Sequence, residues 1–337
     1  MSKERNELLD LLKGFAILLV VLGHAVQHNL PKTFDSHPIF RVIYSFHMPL
    51  FMFISGYVSC ISFKGNIGTL FSRLRTLMLP FWSWFFFSYF FYWAIHYNQH
   101  HQLPDFNYKF FALLRNPGRG LWFLWVLFAN YVFLYLSLKI TRKHAVFILF
   151  VVYIFINVIN MYFKPVADMA TIGWYLLFFL SGYALKQYNV IDTKFFTRLS
   201  YLSLLAFPIL VWSWNRNCTV QLSLLFKQDV NLQNAASYIY GLLVPFTGIF
   251  MSFAIMGFAL KLPAFIKSLF LYTGKISLEI YSTHFYLFTL LFLISAVEIN
   301  TRIFVTFVYV LIFSIIFQWL LKTNKITTLI FYGKIKR

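Results

Sequence analysis

The chain has 337 residues, of which 60% are hydrophobic, 22% aromatic and only 12% charged, with a mean hydropathy of +0.70 and a formal net charge of +19. Soluble domains carry about 25% charged residues, so this composition excludes a soluble or disordered chain and points to an all-α polytopic membrane protein. The positive excess does not point to nucleic acid, because no basic stretch is interleaved with the solvent-facing polar residues such a partner requires.

Apolar runs of about 20 residues, enough to cross a hydrocarbon core of about 30 Å, can be placed ten times along the chain. In the first, 8–28, Leu8 to Gln27 reads LLDLLKGFAILLVVLGHAVQ. Lys13 and His24 stand eleven residues apart within it. That is close to three turns, so the two share a face and lie roughly 16 Å apart along the axis. Asp10, one turn before Lys13, joins that face. A lysine at a helix centre costs about 2.5 to 3.5 kcal/mol on insertion scales, and such groups face a protein interior, a partner or water. With those two residues inside it, no small-residue cleavage site and many similar segments after it, the run reads as a retained helix and not a signal peptide.

The second run, 39–62, contains HMPLFMFISGY, with His47, Pro49 and Ser55. It enters from the face at which the first helix ends, so His47 lies about 12 Å below that surface and reaches a depth similar to His24. Pro49 frees one backbone carbonyl that protein or water must satisfy. Before the third run, 75–97, the stretch RLRTLMLP places Arg73 and Arg75 at the entrance on the terminal side. The next five are 120–139, 145–163, 170–187, 197–214 and 236–260. The ninth, 275–296, opens within YTGKISLEIYSTH, with Glu279, Tyr281 and His284 about one and two turns inside. The tenth is 301–321.

An even number of spans puts both termini on one side. Of the 29 lysines and arginines, 19 fall on that side, 9 on the other and Lys13 inside the first run. The positive-inside rule then predicts cytoplasmic N and C termini. Connections are short apart from the outward segments near 98–119 and 215–235, no internal repeat is evident, and the expectation is a single domain over 1–337. His96, His100 and His101 lack a carboxylate or cysteine at ligand spacing other than Asp105, so they read as a loop and no metal is expected. Cys60 and Cys218 fall on opposite sides of the membrane, which excludes a disulfide between them. Trp82, Trp122, Trp125 and Trp174 sit at span ends as interface anchors.

Taken in order, Lys13-x10-His24, MPLFMFISGY, RLRTLMLP, LWFLWVLF at 121–128 and GKISLEIYSTH make the chain resemble acyltransferase family 3, membrane proteins that O-acylate carbohydrates. The resemblance covers essentially the whole chain and implies the stand-alone branch, without an appended esterase-like domain. It implies transfer of an acyl group, usually acetyl, from cytoplasmic acyl-coenzyme A to a sugar hydroxyl. His24 carries over as the catalytic histidine and Lys13 as its basic partner. Lysine replaces the family's frequent arginine, keeping the charge but losing bidentate phosphate geometry.

The residue types suit that chemistry. Acyl transfer from a thioester needs a base for the acceptor hydroxyl, and a neutral imidazole serves best near pH 7. His24 is the expected base, with an acyl-histidine intermediate as the variant. Arg73, Arg75 and Lys13 are expected to anchor the donor's phosphates, although every loop on the terminal side is basic and the two arginines also fit plain positive-inside residues. His47, His284 and Tyr281 are expected to hold the acceptor or stabilise the oxyanion, with Ser55 on the acceptor-binding side. Glu279 has two readings, orienting a histidine or offsetting Lys13. Asp10 joins the catalytic set or simply neutralises Lys13. Expected partners are acetyl-CoA, a glycan or lipid-linked sugar acceptor and membrane lipid, in the cytoplasmic (inner) membrane. The competing reading is a proton-coupled transporter or flippase of a sugar or lipid-linked sugar, with His24, Lys13 and Glu279 as a proton relay. The lack of matching halves with paired broken helices weighs against it.

Overall fold

A computed structural model describes residues 7–100, 105–117, 121–163, 167–216, 230–289 and 297–335. The side chains of His96 and His100, all of His101, and Cys218 lie outside the described residues, and with them the metal and disulfide questions.

The described chain is helical, without a strand. It opens with α1 (Glu7–Asn29), α2 (Pro38–Tyr44) and α3 (His47–Ser62). Pro38 starts α2 at a position where its missing N–H costs nothing. Next comes α4 (Ile67–Arg73), capped by the Asn66 side chain, which accepts from the Thr69 N–H. It runs through a π turn, Leu74–Met78, into α5 (Leu79–His100). Pro80, just after that turn, offers no N–H to the carbonyl four residues back, where the ladder widens. Then follow α6 (Phe106–Arg115), α7 (Trp122–Ile140), α8 (Ala145–Tyr162) and α9 (Met169–Gln187). The last six are α10 (Lys194–Trp212), α11 (Val230–Ala259), α12 (Ala264–Lys275), α13 (Ser277–Thr289), α14 (Ile299–Leu321) and α15 (Lys325–Tyr332).

Seven segments among the described residues are long and apolar enough to cross a membrane: α1, Pro38–Ser62, α7, α8, α10, Leu232–Ala259 within α11, and α14. The protein is an integral membrane protein. Three of the ten expected runs fall outside that set. The runs at 75–97 and 170–187 form α5 and α9, whose Tyr, Trp, Ser and Thr content dilutes their hydropathy. The run at 275–296 is described only as far as α13. Nor is it one continuous helix with the segment before it, because the chain breaks at Ile276 (φ −111°, ψ 21°) between α12 and α13.

Two compact units emerge, Met1–Ile54 with Leu185–Ile316, and Ser55–Ala184 with Phe317–Arg337. In the first unit α1 is central. It buries Leu11, Leu12, Ile17, Val21, Ala25 and Val26 completely, packing against α2, α11, α12 and α13. Its crossing with α12 is unusually close. A Cβ on Gly14 would meet the Phe270 carbonyl oxygen at 1.9 Å, and one on Gly274 the Asp10 carbonyl oxygen at 2.0 Å. The two backbones therefore touch, the way small residues let membrane helices approach without a hydrophobic driving force. Aromatic rings close the rest of this core: Phe46 edge-on to Phe207 and Phe53 edge-on to Phe253. Arg41 of α2 donates to the carbonyls of Trp212 and Trp214, tying α2 to the end of α10.

In the second unit the same device recurs at Gly56, whose Cβ would meet the Phe179 carbonyl oxygen of α9 at 1.9 Å. The C-terminal helix α15 docks on α5 through Trp84, whose indole N–H donates to the Phe331 carbonyl at 3.0 Å.

Candidate active site

The polar stripe of α1 is set by its register. Asp10 is buried, and the Lys13 ammonium lies 3.7 Å from its carboxylate. One turn earlier, Glu7 pairs with Lys267 of α12 at 3.1 Å. Asp10 is thus placed as the counter-charge of Lys13, and its carbonyl separately forms part of the close crossing with Gly274.

Three turns further, the first unit brings together the histidines expected from the sequence. The His24 and His284 ring centroids are 5.1 Å apart. Tyr44 lies between His24 and His47, with its ring centroid 6.0 Å from the first and 4.8 Å from the second. Phe285 and Phe288 of α13 wall the His24 ring at 6.3 and 6.4 Å. His47 and His284 are each only 3% exposed, whereas His24 keeps a partly open face.

The hydrogen bonds decide what these rings can do. His47 Nδ1 lies 2.7 Å from the Ile43 carbonyl oxygen. His284 Nδ1 is shared between the carbonyls of Tyr281, at 2.7 Å, and Ile280, at 3.1 Å. A carbonyl only accepts, so in both neutral rings the proton sits on Nδ1 and Nε2 keeps its lone pair. His24 Nδ1 lies 3.0 Å from Gln27 Oε1 and 3.3 Å from the Tyr44 hydroxyl, which itself donates to Gln27 Oε1 at 3.2 Å. With Gln27 accepting, His24 has the same tautomer. Three neighbouring imidazoles then all present Nε2 as a base or acceptor. His284 Nε2 is buried and has no hydrogen-bond partner among the described residues.

Gln27 and Tyr44 were not among the candidates read from the sequence. Gln27 stands three residues after His24, one turn along the same face, and that spacing alone would have found it. Tyr44 reaches His24 from another helix, and no spacing rule gives that. Of the remaining candidates in this unit, Glu279 is fully buried in the first turn of α13, where a carboxylate is favoured by the helix dipole. Tyr281 supplies its carbonyl to His284 and its ring lies 5.8 Å from that histidine.

Ser55, Arg73 and Arg75 belong to the second unit. Arg73 donates to the Ser62 hydroxyl at 2.8 Å, and its guanidinium lies 4.8 Å from the centre of the Tyr131 ring. Arg75, in the π turn, donates from Nε to the carbonyl of Gly333 at 3.3 Å. Gly333 itself has φ +62° and leaves no room for a Cβ beside the Arg75 backbone. Both arginines are thus held in place by their own unit. Ser55 is half-buried on α3.

An acyltransferase domain, that of family 3, matches residues 6–321. Nodulation protein NolL of Sinorhizobium fredii (strain NBRC 101917 / NGR234) is 38% identical over 91 residues, 25% of this chain and 24% of that protein. NolL of Mesorhizobium japonicum (strain LMG 29417 / CECT 9101 / MAFF 303099) matches to the same extent. The chain spans about a quarter of the length of the curated relatives it matches. No solved structure matches it.

Proposed function

The chain belongs to acyltransferase family 3, and on that premise we propose that it transfers an acyl group, acetyl from cytoplasmic acetyl-CoA, to a hydroxyl of a cell-envelope glycan or lipid-linked sugar. In this reading the enzyme lies in the cytoplasmic membrane with both termini inside, and the acceptor proton goes to His24.

The observation that carries the reading is the hydrogen bonding at Nδ1 of His24, His47 and His284, which leaves Nε2 of each neutral ring as the acceptor. A cluster of Nε2 lone pairs is satisfied by a ligand rich in O–H donors, and a carbohydrate is such a ligand. His24, the open member, takes the proton of the reacting hydroxyl at Nε2 as that oxygen attacks the thioester carbonyl. Gln27 accepts the Nδ1 proton and keeps the ring aimed, the role that the third member plays in any nucleophile–base–orienter arrangement. The tetrahedral intermediate then expels coenzyme A as thiolate, and the imidazolium returns the proton to that sulfur. His47 and His284, as neutral Nε2 acceptors, suit neighbouring hydroxyls of the acceptor and do not suit an oxyanion, which needs donors. Lys13 is the cation that the first unit offers to the donor's phosphates. A transporter would use His24, Lys13 and Glu279 as a proton relay, but family membership gives that reading nothing to stand on.

The test is transfer of labelled acetyl from acetyl-CoA to envelope glycans by the purified protein, with His24→Ala beside it. General-base catalysis is worth roughly 10²- to 10⁴-fold, and a loss of that size is expected. Undiminished transfer in His24→Ala would sink the assignment.

A further inference from the structure

One turn beyond His24 the same face of α1 carries His28, about 6 Å further along the axis. Both rings pack on Phe288, His28 at 5.5 Å and His24 at 6.4 Å. Beside it stands Arg302 of α14, whose guanidinium donates to the Asn29 carbonyl at 3.4 Å. Asn29 is itself held by Thr306, whose hydroxyl accepts from its amide at 3.0 Å. Arg302 is the fourth residue of a membrane-spanning helix, yet among the described residues no carboxylate lies within ion-pairing distance of it. The nearby Glu298 accepts from Asn300. Arg302 Nε and His28 Nε2 are both buried, with no hydrogen-bond partner among the described residues. A buried guanidinium N–H left without an acceptor is costly, and a ligand is one way of satisfying it.

We propose that Arg302 and His28 form a subsite for a phosphate-type anion, next to the hydroxyl that His24 deprotonates. The inference rests on the function proposed above and narrows its acceptor to one that carries a phosphate close to the acylated sugar, in preference to a neutral glycan. Guanidinium suits this role because its planar N–H groups match phosphate oxygens and it keeps its charge at any depth. The carbonyl of Asn29 fixes one arm of the fork, leaving Nε for the ligand.

The experiment reads binding separately from catalysis. Thermal stability of the purified protein in neutral detergent is titrated with glucose 1-phosphate and with glucose. In parallel it is measured in phosphatidylcholine vesicles with and without phosphatidylglycerol. Saturable stabilisation by glucose 1-phosphate but not glucose is expected, weakened about tenfold in Arg302→Gln, as for loss of one charge-assisted hydrogen bond, and largely kept in Arg302→Lys. His28→Asn serves as a second variant and is expected to weaken it less. Stabilisation by phosphatidylglycerol alone, lost in Arg302→Gln, supports the anion site and assigns it to a lipid headgroup instead of the acceptor. Equal effects of glucose 1-phosphate and glucose with no phosphatidylglycerol effect, or anion binding unchanged in Arg302→Gln, overturns the proposal. His24→Ala is expected to bind the anion normally, so loss of acyl transfer without loss of this binding concerns the base alone.

Discussion

In the proposed mechanism His24 does not work alone, because Gln27 and Tyr44 set which of its nitrogens is free. Replacing Gln27 by Leu removes the acceptor that holds the Nδ1 proton and lets the ring flip or change tautomer. The expected result is a fall in kcat of about tenfold or more with little change in KM, because the orienter is needed only as the proton moves. Steady-state kinetics on Gln27→Leu checks this; a change confined to KM counts against it. Tyr44→Phe removes the hydroxyl that bonds Gln27 and is expected to have a smaller effect in the same direction. At this scale the sequence was generous with residue identities and silent on pairings. Lys13, His24, His47 and His284 were all visible as polar residues in apolar runs, since membrane depth makes such residues conspicuous. The contact of His24 with Tyr44 was not, because periodicity gives the face of each helix but not which faces meet.

Among the elements, the glycines give the sharpest predictions. A methyl on Gly274 would fall 2.0 Å from the Asp10 carbonyl oxygen, and one on Gly14 would fall 1.9 Å from that of Phe270. Backbone cannot step aside as a flexible side chain can, so Gly274→Ala is expected to destabilise by about 1 to 3 kcal/mol, as overpacking does. Gly257 of α11 has nothing within 4 Å of its would-be Cβ. Gly257→Ala is therefore expected to stabilise by about 0.5 to 1 kcal/mol through helix propensity. Thermal unfolding of both variants in one detergent reads the opposite signs. The elements themselves were largely legible as apolar runs, but their breaks were not. Ile276 carries no proline or glycine signal, and the kink there goes with the contact that Gly274 makes one helix away. The short helices α4, α6 and α15 likewise lie in stretches too polar or too short for a span-length pattern to mark them, and the π turn at Leu74–Met78 is hidden within the start of the third run.

Over the whole molecule, the distribution of basic residues is the feature with the widest reach. If the ten expected runs all cross, 19 of the 29 lysines and arginines fall on the terminal side, and a reporter fused after the last residue is expected to score as cytoplasmic. An extracytoplasmic signal would reverse the direction of α1, and with it the side from which the proposed donor would approach Lys13. The close crossing of α1 and α12 has a mechanical consequence as well. Touching backbones make Asp10, Lys13 and the whole of α12 a fixed post, while the interruption at Ile276 frees α13 from that post's direction. The gap between His24 and His284 is thus set by the direction that α13 takes after Ile276, which α12 does not dictate, while the charged end of α1 is fixed by its crossing with α12.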